Sequence, residues 1–323
     1  MRNTNVIVLA DGDEPQLSML DELRNSVEFA IGDSLDSFAS AAPEAEVIFN
    51  WSGSLALFRD VFLKCPHLRW VHSRSVGLER TLFPELVAGS VTLTNGTGVF
   101  SASLGEFVLA AILYFAKDFR RMIRNQMAGA WEAFDVEMIS GTTLGVVGFG
   151  DIGRAAASRA RALGMKVLGL KRHVSATDKP DPLVDRMYGV GQLKEMLAIC
   201  DYVLIATPLT AETRGLVGQA ELDAMKKTAV VINVGRGPVI NETALIRALS
   251  ERRIRGAALD VFDEEPLPAD HPFYKLENVL LSPHCADHTP DWLDNSMRFF
   301  IDQFKRFQRG EPLLNIVDKQ LGY

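Results

Sequence analysis

Short apolar runs bounded by turn residues recur along the chain at Val6 to Leu9, Val47 to Phe49, Leu68 to His72 and Val91 to Thr94. Segments of helical period or loop composition separate them, and that alternation predicts a parallel sheet covered by helices. A second series runs through Thr143 to Gly148, Lys166 to Leu170, Tyr202 to Ala206, Val230 to Val234, Ala257 to Val261 and Val279 to Ser282, again as βαβ units. Between the two series one long helix is expected from Leu104 to about Met127. An amphipathic helix from about Asp291 to Gln308 closes the pattern, with Trp292, Met297, Phe300, Ile301 and Phe304 among its apolar positions. Because it follows the second sheet, it is free to return to the first domain. The expected architecture is α/β: two doubly wound parallel-sheet domains with a cleft between them, residues 1–103 with 290–323, and residues 104–289.

Composition adds exclusions. A formal net charge of −7 disfavours phosphate backbones and acidic headgroups as partners, so neither nucleic acid nor membrane is expected. The longest apolar stretch, Phe107 to Ala116, is about half a membrane span and has Glu106 and Lys117 beside it, which reads as a buried helix. The first residues carry one basic side chain and an apolar core too short for a secretory signal, which points to the cytoplasm. Cys65, Cys200 and Cys285 are far apart and odd in number, so neither a disulfide framework nor a metal site is indicated. Cys285 adjoins His284, and a filler role on a tight turn suits it better than a nucleophile's.

The segment Gly148, Phe149, Gly150, Asp151, Ile152, Gly153 has the form GxGxxG, follows a strand-like run and precedes a strong helix former. The first glycine permits a tight turn, the second lets the main chain approach a pyrophosphate, and the third lets helix and strand pack closely. A dinucleotide is therefore the expected cofactor. The next strand ends at Lys171 and Arg172, where an NAD site carries an acidic residue for the ribose, and the next acidic residue after Asp151 is Asp178. A basic pair suits the 2′-phosphate, so NADP(H) is expected over NAD(H).

Three residues stand just beyond strand ends of the second series: Arg236, Glu265 and His284. Ligands bind at that edge of open α/β sheets. An arginine fork can hold the carboxylate and carbonyl oxygens of a 2-oxo acid, and a histidine can supply the proton. A neighbouring carboxylate favours the imidazolium that reduction needs, while oxidation needs neutral histidine. Taken singly, Arg236 could cap a strand end, Glu265 could be a solvated charge and His284 a core hydrogen bonder.

The segments Gly148 to Gly153, Asn233 to Gly237, Ala258 to Pro268 and Ser282 to His284 closely resemble, in order and spacing, the signature segments of the D-isomer-specific 2-hydroxyacid dehydrogenases. Further likeness in Trp70 to Leu78, Thr94 to Phe100 and Thr207 to Leu216 extends over nearly the whole chain. The resemblance implies a flavodoxin-like substrate domain, a Rossmann cofactor domain, and hydride transfer between a nicotinamide cofactor and a small 2-oxo or 2-hydroxy acid. It implies that Arg236 binds substrate, that His284 is the acid/base and that Glu265, directly before Pro266, pairs with it. The cofactor residues it implies are the glycine loop with Thr207, Pro208, Val234, Asp260 and His284, Asp260 lying near the nicotinamide amide. The backbone amides of Val76 and Gly77 would grip the substrate carboxylate, and a homodimer would form through the cofactor domains.

Lys171 and Arg172 depart from the NAD-dependent members and look more like the glyoxylate and hydroxypyruvate reductases. The residues after His284 lack the paired glycines common there and leave His288, read as a hinge or helix-start residue. Formate dehydrogenase ranks low, because that chemistry is associated with an amide where this chain has Glu265. A phosphoglycerate-type dehydrogenase and an NAD(P)-binding sensor without turnover are the rival readings. Trp51, Ser52, Arg74 and Phe100 are candidate lining residues for the substrate side chain. Arg74 suits an anionic substrate and a surface charge equally.

Overall fold

The elements of the computed structural model run in chain order. They begin with β1 (Thr4–Leu9), β2 (Val27–Gly32), β3 (Val47–Asn50), α1 (Leu55–Phe62), β4 (Trp70–Ser73), α2 (Pro84–Ala88), β5 (Thr92–Asn95), α3 (Ser101–Ala116) and α4 (Phe119–Met127). Next come β6 (Thr143–Val147), α5 (Asp151–Ala162), β7 (Lys166–Lys171), β8 (Arg186–Gly189), α6 (Leu193–Leu197) and β9 (Tyr202–Ile205). The remainder are α7 (Gln219–Ala224), β10 (Val230–Asn233), α8 (Glu242–Ser250), β11 (Gly256–Leu259), β12 (Val279–Leu281) and α9 (Trp292–Gln308). The structure describes residues 4–174 and 179–323, so Asp178 lies outside the described residues. By its internal contacts the chain divides into Met1–Val99 with Thr289–Tyr323, and Phe100–His288.

The first unit holds a five-stranded parallel sheet in the order β2-β1-β3-β4-β5, the flavodoxin-like order. The central strands β1 and β3 carry apolar runs without alternation because both faces are covered. Val6 and Val8 share a core with Met297, Phe300, Ile301 and Phe304 of α9, whereas Ile7 and Leu9 share one with Phe58, Val61 and Leu86. Phe300 stacks on Phe49 with ring centroids 3.9 Å apart, and that aromatic contact joins the last helix to this sheet.

The second unit holds seven parallel strands in the order β12-β11-β10-β9-β6-β7-β8, a Rossmann order extended by one strand. The direction of winding reverses between β6 and β9, so the loops after these two strands face one switch point. The single helix expected from Leu104 to Met127 is in fact two. Asp118 takes a left-handed conformation (φ 49°) and its carboxylate caps α4 by accepting from the Arg121 amide, which ends one helix and starts the next. The sheets also contain β2 and β8, edge strands that the apolar pattern did not predict.

Among the described residues no helix is long and apolar enough to cross a membrane.

Candidate active site and cofactor loop

Gly148, at the end of β6, has φ +93°, and a Cβ there would stand 2.7 Å from Thr207 Cγ2 and 2.8 Å from the Ala206 carbonyl carbon. No L side chain fits that turn. A Cβ on Gly153 would lie 2.7 Å from the Gly148 carbonyl oxygen, so this glycine lets α5 close on the turn. Gly150 differs: a Cβ there would meet nothing within 4 Å, and the space beside its backbone is open. Among the described residues the N–H groups of Gly150, Asp151 and Ile152 reach no acceptor, and they stand at the positive end of a 12-residue helix. A cradle of free amides and open space fits the pyrophosphate of a dinucleotide. Asp151 accepts a short hydrogen bond from the Ser101 hydroxyl.

The neighbouring strand brings the basic pair alongside. Gly148 and Phe149 both donate to the Leu170 carbonyl, so Lys171 and Arg172 follow directly beside the glycine turn. Lys171 is exposed, with Nζ 5.8 Å from the Phe149 ring centroid. Arg172 forms an ion pair with Glu212, which lies beyond β9. Thr207 is buried with its hydroxyl unpartnered, Pro208 is exposed, and Val234 is buried and donates its N–H to Ile205.

Strands β10, β11 and β12 are neighbours, so the segments after them lie at one edge of the sheet. Asn233, the last residue of β10, braces the first: its side chain accepts from the Gly235 amide at 3.1 Å and donates to the Arg236 carbonyl at 3.0 Å. The Arg236 guanidinium donates to the Gly235 carbonyl at 2.7 Å. Gly237 comes so close to the loop after β11 that a Cβ would lie 2.0 Å from the Phe262 carbonyl carbon. On that loop one Glu265 oxygen accepts from the Phe262 amide at 2.9 Å, and the other meets His284 Nδ1 at 2.6 Å. A carboxylate only accepts, so Nδ1 carries the proton and Nε2 is the nitrogen left to face a ligand. His284 itself sits at φ +52°, an uncommon conformation for a residue with a side chain.

Asp260 ties the third segment to the second. Its Oδ1 accepts from the Ser282 hydroxyl at 2.5 Å and from the amides of Cys285 and Ala286 at 3.0 and 3.1 Å. Burial pushes its carboxyl up from the usual range, and these three donors and His284 oppose the shift. Oδ2 accepts nothing among the described residues. Cys285 is an exposed thiol 3.6 Å from the Ser282 hydroxyl. His288 is not at a helix start, because α9 begins at Trp292, but it closes the second unit; its Nε2 is 3.8 Å from Asp287 Oδ1.

In the first unit, Val76 and Gly77 lie on the loop after β4, half-buried, and neither N–H has an acceptor among the described residues. Asn95, at the end of β5, donates to the Val76 carbonyl at 3.0 Å and so fixes that loop. The sequence pointed to Arg236, Asp260, Glu265, His284, Val76 and the basic pair as candidates but not to the residues that brace them, Asn233, Ser282, Asn95 and Glu212. Asn233 and Asn95, polar residues closing apolar strands, were the available signal.

Residues 109–286 match the family model for the D-isomer specific 2-hydroxyacid dehydrogenase, NAD binding domain. A glyoxylate reductase of Korarchaeum cryptofilum (strain OPF8) is 33% identical over 81% of this chain and 80% of its own length. A D-3-phosphoglycerate dehydrogenase of Methanocaldococcus jannaschii is 31% identical over 94% of this chain, which spans 57% of that longer protein. The crystal structure of a D-isomer specific 2-hydroxyacid dehydrogenase from Xanthobacter autotrophicus Py2, in complex with NADPH and MES, superposes with a TM-score of 0.85 at 30% identity, covering 99% of this chain and 100% of that one. The chain belongs to the D-isomer specific 2-hydroxyacid dehydrogenases, an oxidoreductase family with a dinucleotide-binding domain.

Proposed function

We propose that the protein transfers hydride between NADP(H) and a small 2-oxo acid or its D-2-hydroxy acid, of the glyoxylate or hydroxypyruvate type. The observation that carries this reading is the His284 and Glu265 pair, with one carboxylate oxygen on Nδ1 and the other locked by a backbone amide. When bound, the nicotinamide supplies the hydride. Arg236 binds the carboxylate and carbonyl oxygens, and the Val76 and Gly77 amides hold the carboxylate. His284 donates a proton from Nε2 to the carbonyl oxygen, while Glu265 keeps the proton on Nδ1 and balances the imidazolium charge. Oδ2 of Asp260 is an acceptor suited to the nicotinamide amide. Thr207, Pro208 and Val234 flank the dinucleotide.

Lys171 and Arg172, beside the glycine turn, support NADP(H); NAD(H) is the second cofactor. The glyoxylate reductase from Korarchaeum and the NADPH in the Xanthobacter structure favour the same substrate class and cofactor. We further propose a homodimer through the second unit, where Ile123, Met127, Trp131 and Met138 leave large apolar side chains exposed on α4 and the segment after it. Three free thiols, two of them buried, suit the reducing cytoplasm.

Loss of reduced-nicotinamide absorbance tests the reading, with NADPH or NADH and glyoxylate, hydroxypyruvate, pyruvate and bulkier 2-oxo acids. The expected result is turnover with a higher kcat/KM for NADPH. A higher value for NADH would reassign the cofactor. NADPH binding without turnover of any acid would favour a sensor. The likeness to a phosphoglycerate dehydrogenase gives the second reading, which 3-phosphohydroxypyruvate as substrate tests.

A further inference from the structure

Arg74 follows β4 and lies two residues before Val76. Its guanidinium carbon stands 4.6 Å from the Trp51 ring centroid and 5.4 Å from that of Trp292, at the start of α9. Two indoles therefore position one cation, and Trp51 is itself buried against Phe49 in the core. The first sheet reverses its winding between β1 and β3, and the amides of Trp51 and Ser52 donate to the Leu9 carbonyl across that point. Arg74 in turn donates its amide to the Asn50 carbonyl, so its loop is pinned to the same carboxyl edge of the sheet, where open α/β sheets take ligands.

The charge is unmatched. Among the described residues no carboxylate comes within ion-pair distance of Arg74, and Glu14 acts on it only from further away. Burial accordingly holds the guanidinium below its ordinary range. A partly buried cation, aimed by aromatic rings and lacking a counter-ion, is the arrangement that a bound anion completes. The ring contacts leave the guanidinium its N–H donors, and these are the groups that pair with a carboxylate.

We infer that Arg74, set by Trp51 and Trp292, is a specificity-determining residue that takes the distal carboxylate of a 2-oxo dicarboxylic acid. The inference rests on the reading in which the Val76 and Gly77 amides hold the substrate's first carboxylate. Arg74 shares their loop, so a short diacid anchored there can present its second carboxylate to the guanidinium. An acid of equal carbon number without that group leaves Arg74 unpaired and gains nothing from it.

The test compares kcat/KM for oxaloacetate with that for 2-oxobutyrate, which has the same number of carbons and one carboxylate, and for glyoxylate. Each is measured with wild type, Arg74→Lys and Arg74→Met. Wild type is expected to favour oxaloacetate over 2-oxobutyrate by tenfold or more. Arg74→Met should lower the oxaloacetate value at least tenfold and leave the two monocarboxylates within threefold, with Arg74→Lys between. Malonate, a diacid with no reducible carbonyl, gives a readout free of turnover: its inhibition constant against glyoxylate should rise in Arg74→Met. Glyoxylate turnover with no preference for the diacid, or an equal fall for all three acids in Arg74→Met, would overturn the inference and leave the proposed reaction standing. Failure of wild type to reduce any acid would overturn both.

Discussion

Two histidines at the ends of two parallel sheets show how environment divides one side chain between structure and chemistry. His72 lies within β4, 1% exposed, with Nδ1 on the Thr94 hydroxyl at 2.8 Å and aromatic rings around it. Burial pushes it down to about 3, so it stays neutral and serves the core. His284 lies beyond β12 on an exposed loop in a left-handed conformation, with a carboxylate on Nδ1. The first has a hydroxyl partner and no route to solvent. The second has a carboxylate on one ring nitrogen and leaves the other open. Burial and partner, not residue type, set the two histidines apart.

The largest effect is expected from removing the Glu265 charge. Glu265→Gln should lower kcat about 100-fold while leaving cofactor affinity nearly unchanged, because the amide keeps the shape and loses the balance of the imidazolium. Steady-state rates alongside NADPH titration would show whether the loss is confined to turnover. Next is Gly237→Ala, whose Cβ would lie 2.0 Å from the Phe262 carbonyl carbon. Forcing the two loops apart should cost about 1–3 kcal/mol in denaturant unfolding and reduce activity through the Glu265 loop. If stability and activity both hold, the loops do not depend on each other.

Gly150→Ala separates fold from cofactor. Since its Cβ would meet no protein atom, thermal stability should stay within a few degrees, whereas NADPH affinity should weaken about tenfold as the methyl intrudes on the pyrophosphate. Equal losses in both would mean that the loop is merely structural.

The effect at His72 is spread over several pH units. The folded state keeps it neutral down to about 3, while the unfolded chain takes up a proton below about 6.5. Between these values the unfolded state binds more protons, so stability falls as pH falls, by at most about 1.4 kcal/mol per pH unit. Urea unfolding across this window should show a shallower acid slope in His72→Asn than in wild type. Identical slopes would mean that His72 does not stay neutral.

The apolar runs on the central strands were legible because both faces of each sheet are covered, which leaves uninterrupted stretches such as Val230 to Ile232. The edge strands were not. Glu28 interrupts β2 and β8 begins on the exposed Arg186, since an edge strand has less to bury. The helix break at Asp118 was hidden because Tyr114 to Ala116 and Phe119 keep the apolar character on both sides of a single capping residue. At the site, Arg236, Glu265 and His284 stood out as candidates through their places after strands together with the family resemblance. Asn233 holding Arg236, Ser282 holding Asp260 and Glu212 holding Arg172 did not, because a brace is defined by the distance it spans.

The most direct test of the account is NADPH oxidation by wild type and His284→Ala with glyoxylate, beside NADPH affinity measured for each. We expect turnover by wild type and a fall of about 100-fold or more in the variant at matched affinity. Equal turnover by the two proteins would contradict the assignment of His284 as the acid, and with it the central reading of this site.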